Sequence, residues 1–306
     1  MKKILVTGSN GLLGQKLVHQ LKTNPEVELI ATARGKNRIS DQSSYKFFDL
    51  DITKKGDVEK LITQLKPDVI INTAAMTNVD ACEEFREACW ELNVDAVQYL
   101  VEASEKNNVH FIHLSTDFIF DGEDGPYREE DEPNPLSYYA KSKLASEEIV
   151  KKMKSPWSIV RTVLVYGLVE DMSRSNIVLW AKGALEKGQT LTIVNDQFRT
   201  PTLAEDLALG CILIALKKAV GVYHISGKDY MSIIELVHRV AKHYQLNVSE
   251  IKEITSASLN QAAKRPPRTG FILDKAMHEL GYHPHSFEEG LKELDQQLKS
   301  NSSYQL

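Results

Sequence analysis

The sequence has few cysteines: only three occur among its 306 residues, and no two of them form a C-x-x-C pair. A disulfide framework and a thiolate zinc site both need closely spaced pairs of cysteines, so both classes are excluded. The nine histidines include no set of three at a spacing that would hold a metal ion. We therefore predict no metal site.

The sequence also lacks an excess of positive charge: 37 Lys and Arg residues stand against 42 Asp and Glu residues, which gives a net charge of −5. Binding to a phosphate backbone needs a basic face, so nucleic acid is not expected as a partner. No apolar run reaches the roughly 18 residues that a membrane helix requires. The apolar segment after Met1 covers only residues 4–6, which is too short for a signal peptide. These absences predict a cytoplasmic protein that does not bind a membrane.

Short, largely apolar runs alternate with amphipathic stretches through the first half of the chain. These runs predict strands buried on both faces at residues 3–7, 27–32, 68–73 and 109–114, and a further strand within residues 157–165. The segments between them have helical spacing. Strands that alternate with helices in this way form parallel sheets, so we predict an α/β protein with a doubly wound Rossmann-type fold.

The pattern changes after residue 166. Helical and strand-like segments alternate less regularly here, at 177–187, 191–194, 203–217, 221–226, 233–244 and 287–298. We therefore predict a nucleotide-binding domain over residues 1–166. Residues 167–306 are predicted to form a smaller α/β substrate-binding lobe, with segments that return to the main domain.

A glycine-rich loop follows the first predicted strand, since residues 8–14 read Gly-Ser-Asn-Gly-Leu-Leu-Gly. Gly8 permits a tight turn, Gly11 lets the backbone approach a pyrophosphate, and Gly14 lets the next helix pack closely on the strand. The start of that helix offers free N–H groups and the positive end of a helix dipole to an anion. The loop, including Asn10 and Leu12, is predicted to bind a dinucleotide.

The second predicted strand leads into Arg34, at a position where an enzyme that uses NAD usually carries an acidic residue for the ribose hydroxyls. Arg34 can instead neutralise a 2′-phosphate and donate two parallel hydrogen bonds to it. We therefore predict NADP, as NADPH, for the cofactor, with NAD as the alternative.

Three residues predict the chemistry. Thr116 follows the predicted strand at 109–114, at the sheet edge where open α/β sheets bind their ligands. Tyr139 and Lys143 form a Y-x-x-x-K pair on the next predicted helix, and residues four apart lie on one helix face. We expect the lysine ammonium to lower the pKa of the phenol, so that Tyr139 can pass a proton to an oxygen while hydride reaches the attached carbon. Thr116 is expected to hydrogen-bond the same oxygen.

Taken together and in this order, the motifs resemble those of an extended short-chain dehydrogenase/reductase, and within that superfamily the dTDP-4-dehydrorhamnose reductases. The resemblance covers nearly the whole chain and rests on GSNGLLG at 8–14, Asp51-Ile52, NTAAMTNVDACE at 72–83, STDFIFDG at 115–122, YAKSK at 139–143, NDQFRTPT at 195–202 and RPPRTGFILD at 265–274. It implies a reductase of a 4-keto nucleotide sugar. Thr116, Tyr139 and Lys143 would be catalytic, and Lys143 would also bind the nicotinamide ribose.

The resemblance implies further contacts as well. Towards the cofactor, the implied residues are Asp51 and Ile52 at the adenine, Ala74 and Ala75 below the ribose, and Met76. Towards the substrate, the implied residues are Thr77, Val79, Asp117, Phe118 and Leu164. Leu164 stands where the family usually has Trp, and Met76 where some members have His, so the identity of the sugar stays open.

The diphosphate of a nucleotide sugar needs a cation, and the glycine loop is already assigned to the cofactor. Arg265 precedes Pro266-Pro267, which restrict the direction in which its side chain leaves the backbone. A planar guanidinium suits two phosphate oxygens, and the resembling reductases carry an R-P motif here. We predict that Arg265 binds the diphosphate; the alternative is a salt bridge to the acidic loop at 122–135.

Competing functions fit the sequence. The first is an NADPH-dependent reductase, whose expected substrate is a nucleotide sugar. The second is an epimerase or dehydratase of the same fold, although Phe118 follows Asp117 where dehydratases have a second acid. The third is a regulatory subunit, similar to the β subunit of methionine adenosyltransferase, that binds a partner protein. Whether the chain forms a homodimer stays open.

Overall fold

A computed structural model describes residues 1–170, 176–259 and 261–300 of the chain. Its strands are β1 (Lys2–Thr7), β2 (Val27–Ala33), β3 (Lys46–Asp49), β4 (Val69–Asn72), β5 (His110–Thr116), β6 (Trp157–Thr162), β7 (Val165–Tyr166), β8 (Leu191–Val194), β9 (Phe198–Arg199), β10 (Thr202–Leu203), β11 (Gly221–His224), β12 (Met231–Ser232) and β13 (Ile251–Ile254). Its α-helices are α1 (Leu12–Leu21), α2 (Lys55–Leu65), α3 (Val79–Glu84), α4 (Arg86–Trp90), α5 (Ala96–Lys106), α6 (Tyr138–Val150), α7 (Ile177–Glu186), α8 (Ala204–Lys217), α9 (Ile233–His243) and α10 (Phe287–Ser300). Within the described ranges, no helix is long and apolar enough to cross a membrane.

Seven strands form one parallel sheet in the order β11-β6-β5-β4-β1-β2-β3. The strand order reverses at β1, which lies between β4 and β2. In a doubly wound sheet, the ligand crevice opens above the carboxyl ends of the strands at this reversal. Thr7 and Asn72 end β1 and β4 in register at that edge. The predicted Rossmann-type fold is confirmed.

Helices cover both faces of the sheet, because side chains on both sides of its central strands are buried. On one face α1 packs against α8, where Leu17 and Leu207 are buried. On the other face α2 packs against α5, where Ile62 and Leu100 are buried. With both faces closed, the sheet is a rigid support for the loops at its carboxyl edge.

The second lobe has an apolar core of its own, formed by α7, α9, α10 and the strand pair β8–β13. Leu236, Val237 and Leu291 are completely buried in it. Segments from the C-terminal half lie with the first lobe instead, among them α8, which packs on α1, and β11, which extends the sheet beside β6. The chain therefore passes between the lobes repeatedly, and both lobes border one cleft.

Two elements of the first lobe are not evident from the sequence pattern. The short strand β3 lies at the edge of the sheet with both ends exposed, so it lacks the continuous apolar run of the central strands. The helical region between β4 and β5 is interrupted rather than continuous, because a π-helical turn at Glu91–Asp95 separates α4 from α5. Such turns are frequent at functional sites, and this one directs Asn93 inward.

Candidate active site

A cleft of about 570 Å³ opens at the carboxyl edge of the sheet, between the lobes. The first lobe contributes the start of α1 and the residues at or after the ends of β4, β5 and β6. Among these, Thr116 and Thr162 end β5 and β6 in register. The second lobe contributes Gln197, Arg199 and Ile233 among others. The cleft thus lies where the topology of a doubly wound sheet predicts a ligand site.

The glycine loop borders the cleft just before α1. Gly8 has a positive φ of 69°, and a Cβ on it would lie 2.8 Å from the backbone nitrogen of Ala74. A Cβ on Gly14 would collide with the carbonyl oxygen of Gly8. Only glycine fits both positions without strain, as the predicted tight turn and close helix–strand packing require.

Tyr139 and Lys143 project from the first turns of α6 into the cleft. The helix begins here because the extended residue Ser137 caps it: its hydroxyl accepts a hydrogen bond from the N–H of Ala140 at 3.3 Å. This cap sets the register in which residues 139 and 143 share one face. Both side chains are buried, and both line the same cleft as Thr116.

Burial dominates the electrostatics of Tyr139. It raises the pKa of the phenol above its ordinary value, a hydrogen bond with Thr116 offsets part of this rise, and the nearby carboxyl of Asp117 adds to it. The expectation of a lowered tyrosine pKa is therefore wrong, because the cost of desolvating the phenolate is the largest influence on it. Tyr139 is a protonated phenol at neutral pH, which is the form that a proton donor needs.

Asp117 lies beside this tyrosine and is itself buried. Its carboxylate accepts hydrogen bonds from the hydroxyls of Thr269 and Thr116, the second at 3.1 Å, and Arg199 Nε lies 3.8 Å from it. Burial raises the pKa of Asp117, while the charge of Arg199 opposes that rise. Asp117 therefore orients the hydroxyl of Thr116 at the edge of the cleft.

Lys143 has an unusual environment. Burial lowers its pKa to about 8, and the carboxylate of Glu147, one turn further along α6, opposes this shift. Its Nζ lies 3.4 Å from Nε2 of His113. The Ser146 hydroxyl donates to the Lys143 carbonyl oxygen, so it accepts from His113 Nε2 at 2.9 Å. His113 is thus a neutral ring with its proton on Nε2, so this nitrogen cannot accept a hydrogen bond from the ammonium of Lys143. The N–H groups of Lys143 are therefore available to a ligand in the cleft.

A family profile described as RmlD substrate binding domain matches residues 1–300. The chain belongs to the RmlD substrate binding domain family. The dTDP-4-dehydrorhamnose reductase of Aggregatibacter actinomycetemcomitans is 33% identical over 306 residues, which cover 96% of the chain and 98% of that protein. The methionine adenosyltransferase 2 subunit beta of Bos taurus is 29% identical over 298 residues, which cover 95% of the chain and 86% of that protein.

A solved structure has the same architecture as this RmlD-family chain. The crystal structure of dTDP-4-dehydrorhamnose reductase from Bacillus anthracis in complex with NADP matches it with a TM-score of 0.84 and 27% identity. The match covers 97% of the chain and 100% of that structure. Both the resemblance inferred from the motifs and the predicted fold class are therefore confirmed.

The cleft of the RmlD-family fold brings many of the predicted residues together. It is lined by Gly11, Leu12, Gly14, Ala75, Thr77, Val79, Thr116, Asp117, Phe118, Tyr139, Lys143, Leu164 and Arg265. Outside its described lining lie Gly8, Asn10, Arg34, Asp51, Ile52, Ala74 and Met76. The Asn10 side chain holds the loop after β2, because it donates to the oxygen of Lys36 and accepts from the N–H of Arg38. Asp51 accepts hydrogen bonds from the N–H and hydroxyl of Thr53.

Arg265 forms an ion pair that the sequence does not reveal. Its Nη2 and Nη1 donate to the two carboxylate oxygens of Asp80 in α3, at 2.5 and 3.2 Å, and Nη1 also donates to the oxygen of Ala263 at 3.1 Å. The alternative of a salt bridge to the acidic loop at 122–135 is therefore wrong. The pair joins the second lobe to the first, and Nε of Arg265 keeps no partner among the described residues.

Asn93 is a site residue that the motifs do not identify. Its carboxamide accepts from the N–H of Met76 at 2.8 Å and donates to the oxygen of Met76 at 3.0 Å. It also donates to the Ser142 hydroxyl on α6 at 3.1 Å. Asn93 thereby ties the loop after β4 to the helix that carries Tyr139 and Lys143. The available signal was an asparagine inside an otherwise amphipathic helical stretch.

The buried ammonium of Lys143 should make stability depend on alkaline pH. Its pKa is about 8 in the folded chain and 10.5 at its ordinary value, so the unfolded chain binds more protons between these values. The unfolding free energy contributed by this residue therefore rises with pH across the window, by about 3 kcal/mol in total. Lys143→Met, of similar length, should lose that rise. Urea unfolding of both proteins across the window measures it, and parallel pH profiles would contradict the low pKa.

Proposed function

We propose that the protein is an NADPH-dependent reductase of a 4-keto nucleotide sugar, as in the dTDP-4-dehydrorhamnose reductases that it resembles. One observation carries this proposal: the glycine loop, Thr116, Tyr139 and Lys143 all face one cleft. A dinucleotide on the loop and a ketone beside Tyr139 would meet in that cavity. In this reading residues 1–166 form the cofactor side, and residues 167–306 supply the substrate lobe together with segments that return to the first.

Several groups fit a dinucleotide that carries a 2′-phosphate. The buried hydroxyl of Ser9 in the glycine loop has no hydrogen-bond partner in the described structure. Arg34 is exposed after β2, and its guanidinium has no ion-pair partner among the described residues. The loop backbone and Ser9 would hold the diphosphate, and Arg34 would hold the 2′-phosphate. When bound, NADPH supplies the hydride.

The residues of the chain supply the acid chemistry. Tyr139, protonated because burial raises its pKa, donates its phenolic proton to the carbonyl oxygen as negative charge develops there. The hydroxyl of Thr116 donates to Asp117 in this structure, and it would turn its one proton to the same oxygen when the ketone binds. The ammonium of Lys143 stabilises the phenolate that proton transfer leaves behind. The ring of Phe118, whose centroid is 6.3 Å from that of Tyr139, helps to exclude water.

Cofactor choice tests the assignment of Arg34. The variant Arg34→Ala should raise KM for NADPH by about ten- to a hundredfold, because one bidentate contact between arginine and phosphate is lost. KM for NADH should change little. Arg86→Ala, which removes an exposed arginine on α4, is the matched control and should alter neither constant. Equal use of both cofactors by the wild-type enzyme would contradict the prediction.

Substrate affinity tests the assignment of Arg265. Arg265→Lys keeps the charge but loses the planar fork, so the Kd for dTDP should rise about tenfold or more while the Kd for NADPH is unchanged. Asp80→Asn separates the two possible roles, because it removes the ion pair and leaves the guanidinium in place. If Arg265 binds the diphosphate, Asp80→Asn retains dTDP affinity. If both variants weaken dTDP binding equally, Arg265 acts only as a link between the lobes.

A panel of nucleotide-linked 4-keto sugars, with NADPH oxidation as the readout, tests the proposed reaction. Turnover of at least one dTDP-linked member is expected. Isomerisation without net oxidation of NADPH would instead indicate an epimerase, and inactivity across the panel would overturn the proposal. Dehydration is disfavoured because the aromatic Phe118 occupies the position after Asp117.

The similarity to methionine adenosyltransferase 2 subunit beta favours a second candidate function, a regulatory subunit. Such a protein would form a stable complex with a catalytic methionine adenosyltransferase. Co-purification of the two chains, together with inactivity towards every 4-keto sugar, would establish this function in place of the reductase.

A further inference from the structure

The carboxamide of Gln197 is an unexplained polar group in the second-lobe part of the cleft. The residue is only 6% exposed, and it lines the cleft. Its backbone oxygen accepts the N–H of Ile233 at 2.9 Å, which holds the loop before β9 against the start of α9. Among the described residues, however, no group hydrogen-bonds its side chain. The protein does not fully enclose the amide atoms, so the carboxamide is open to the cleft, where a ligand group can pair with its donor and its acceptor.

Its neighbours in the chain do not share this property. The carboxylate of Asp196 accepts the N–H of Ser256 at 2.9 Å and the hydroxyl of Ser256 at 2.8 Å. The guanidinium of Arg199 donates to the backbone oxygens of Pro266 and Pro267, at 2.8 and 3.2 Å. Both side chains are therefore used inside the protein. Gln197 stands between them with its donor and its acceptor still available.

The surroundings of Gln197 limit the kind of group that it can meet. The second-lobe part of the cleft also contains apolar side chains, from Ile177, Val194, Ile233 and Leu259. An uncharged amide among apolar side chains is a poor site for a diphosphate, whose charge needs cations. The reacting sugar carbon must lie beside Tyr139, which the first lobe supplies. The remaining parts of a nucleotide sugar are its pentose and its base, and of these the flat base suits a site with apolar side chains better than the pentose does.

We propose, resting on the reductase function proposed above, that Gln197 recognises the imide edge of a pyrimidine base in the nucleotide sugar. A carboxamide presents an acceptor and a donor side by side. The imide of thymine or uracil presents the complementary N3–H and an adjacent carbonyl oxygen, so the two can form a pair of hydrogen bonds. The apolar side chains then contact the faces of the ring. Gln197 is thus a specificity-determining residue that contacts the base.

A cycle of two changes tests this pairing, with dTDP and N3-methyl-dTDP as the probes. The methyl group removes the imide hydrogen, and Gln197→Leu removes the carboxamide at similar volume. The wild-type enzyme should bind dTDP about ten- to a hundredfold more tightly than N3-methyl-dTDP, because two hydrogen bonds to the amide are affected. In Gln197→Leu, the affinity for dTDP should fall by a similar factor, and N3-methylation should then have little further effect.

Matched controls separate recognition from structure. Gln261→Leu removes an exposed amide that lines the same cleft and should leave the preference for dTDP over its N3-methyl form unchanged. The melting temperature of Gln197→Leu should stay close to that of the wild type, because the carboxamide makes no hydrogen bond within the described residues. The Kd for NADPH should not change in either variant.

The outcomes distinguish this proposal from the reductase function on which it rests. If Gln197→Leu binds dTDP normally but has a raised KM for the keto sugar, Gln197 contacts the sugar and the proposal is overturned. If N3-methylation weakens binding as much in Gln197→Leu as in the wild type, the amide does not meet the imide, and again only the proposal fails. If the wild-type enzyme neither binds dTDP nor oxidises NADPH with any keto sugar, both fail together.

Discussion

Replacing Tyr139 with Phe should lower kcat by about 10² to 10⁴, the usual range for the loss of a general acid. The change keeps the ring and removes only the proton that the carbonyl oxygen requires. Binding of NADPH should be nearly unaffected, because the glycine loop and Lys143 remain. Steady-state kinetics with the preferred keto sugar, together with a fluorescence titration of NADPH, measure both effects.

Tyr138→Phe is the matched control, because it makes the same chemical change one position earlier in α6. Tyr138 lies on a different face of the helix: its ring centroid is 6.1 Å from that of Trp90, and the guanidinium of Arg86 lies over it. This variant should retain near wild-type kcat. If the two variants lose activity to the same extent, Tyr139 is not the proton donor.

Replacing Glu147 with Gln should cost about 3–5 kcal/mol of unfolding free energy, the range for removing one partner of a buried ion pair. Arg161 donates to both oxygens of Glu147, at 3.0 and 2.8 Å, and both side chains are at most 2% exposed. The variant leaves a guanidinium buried without a counter-charge. Since Glu147 also opposes the fall in the pKa of Lys143, that pKa should drop further.

A surface pair provides the control for this effect. Lys182 and Glu186 form an ion pair at 2.5 Å with partly exposed side chains, and Glu186→Gln should cost less than about 1 kcal/mol. The double variant Glu147→Leu with Arg161→Met should recover much of the loss, because it removes both charges at once. Urea unfolding measures all three proteins. A cost for Glu147→Gln as small as that of Glu186→Gln would show that the buried pair does not contribute as proposed.

Features that depend on residues close together in the sequence were predictable. The glycine loop is one turn between a strand and a helix, so its spacing alone predicts the conformation that Gly8 adopts, with a φ of 69°. Tyr139 and Lys143 are four residues apart, and helical geometry alone places them on one face. The central strands are buried on both sides, so mainly apolar runs between helical segments identify them.

Features that depend on distant residues were not predictable in the same way. Arg265 pairs with Asp80 across 185 positions, and nothing in the local sequence of either residue indicates the other. Asn93 lies in a π-helical turn and reaches Met76 and Ser142, which are 17 and 49 positions away in the sequence. The role proposed for Gln197 depends on the tertiary structure, because only the structure shows that its side chain lines the cleft and has no hydrogen-bond partner among the described residues.

The sequence by itself therefore determined the fold class, the glycine loop and the pairing of Tyr139 with Lys143, because strand periodicity, turn chemistry and helix spacing are local properties of the chain. Only the tertiary structure decided the electrostatics of the site. Burial lowers the pKa of Lys143 to about 8 and raises the pKa of Tyr139. The spacing of the two residues in the sequence suggests the opposite shift for the tyrosine. Desolvation depends on every atom that packs around a charge, and those atoms come from all parts of the chain.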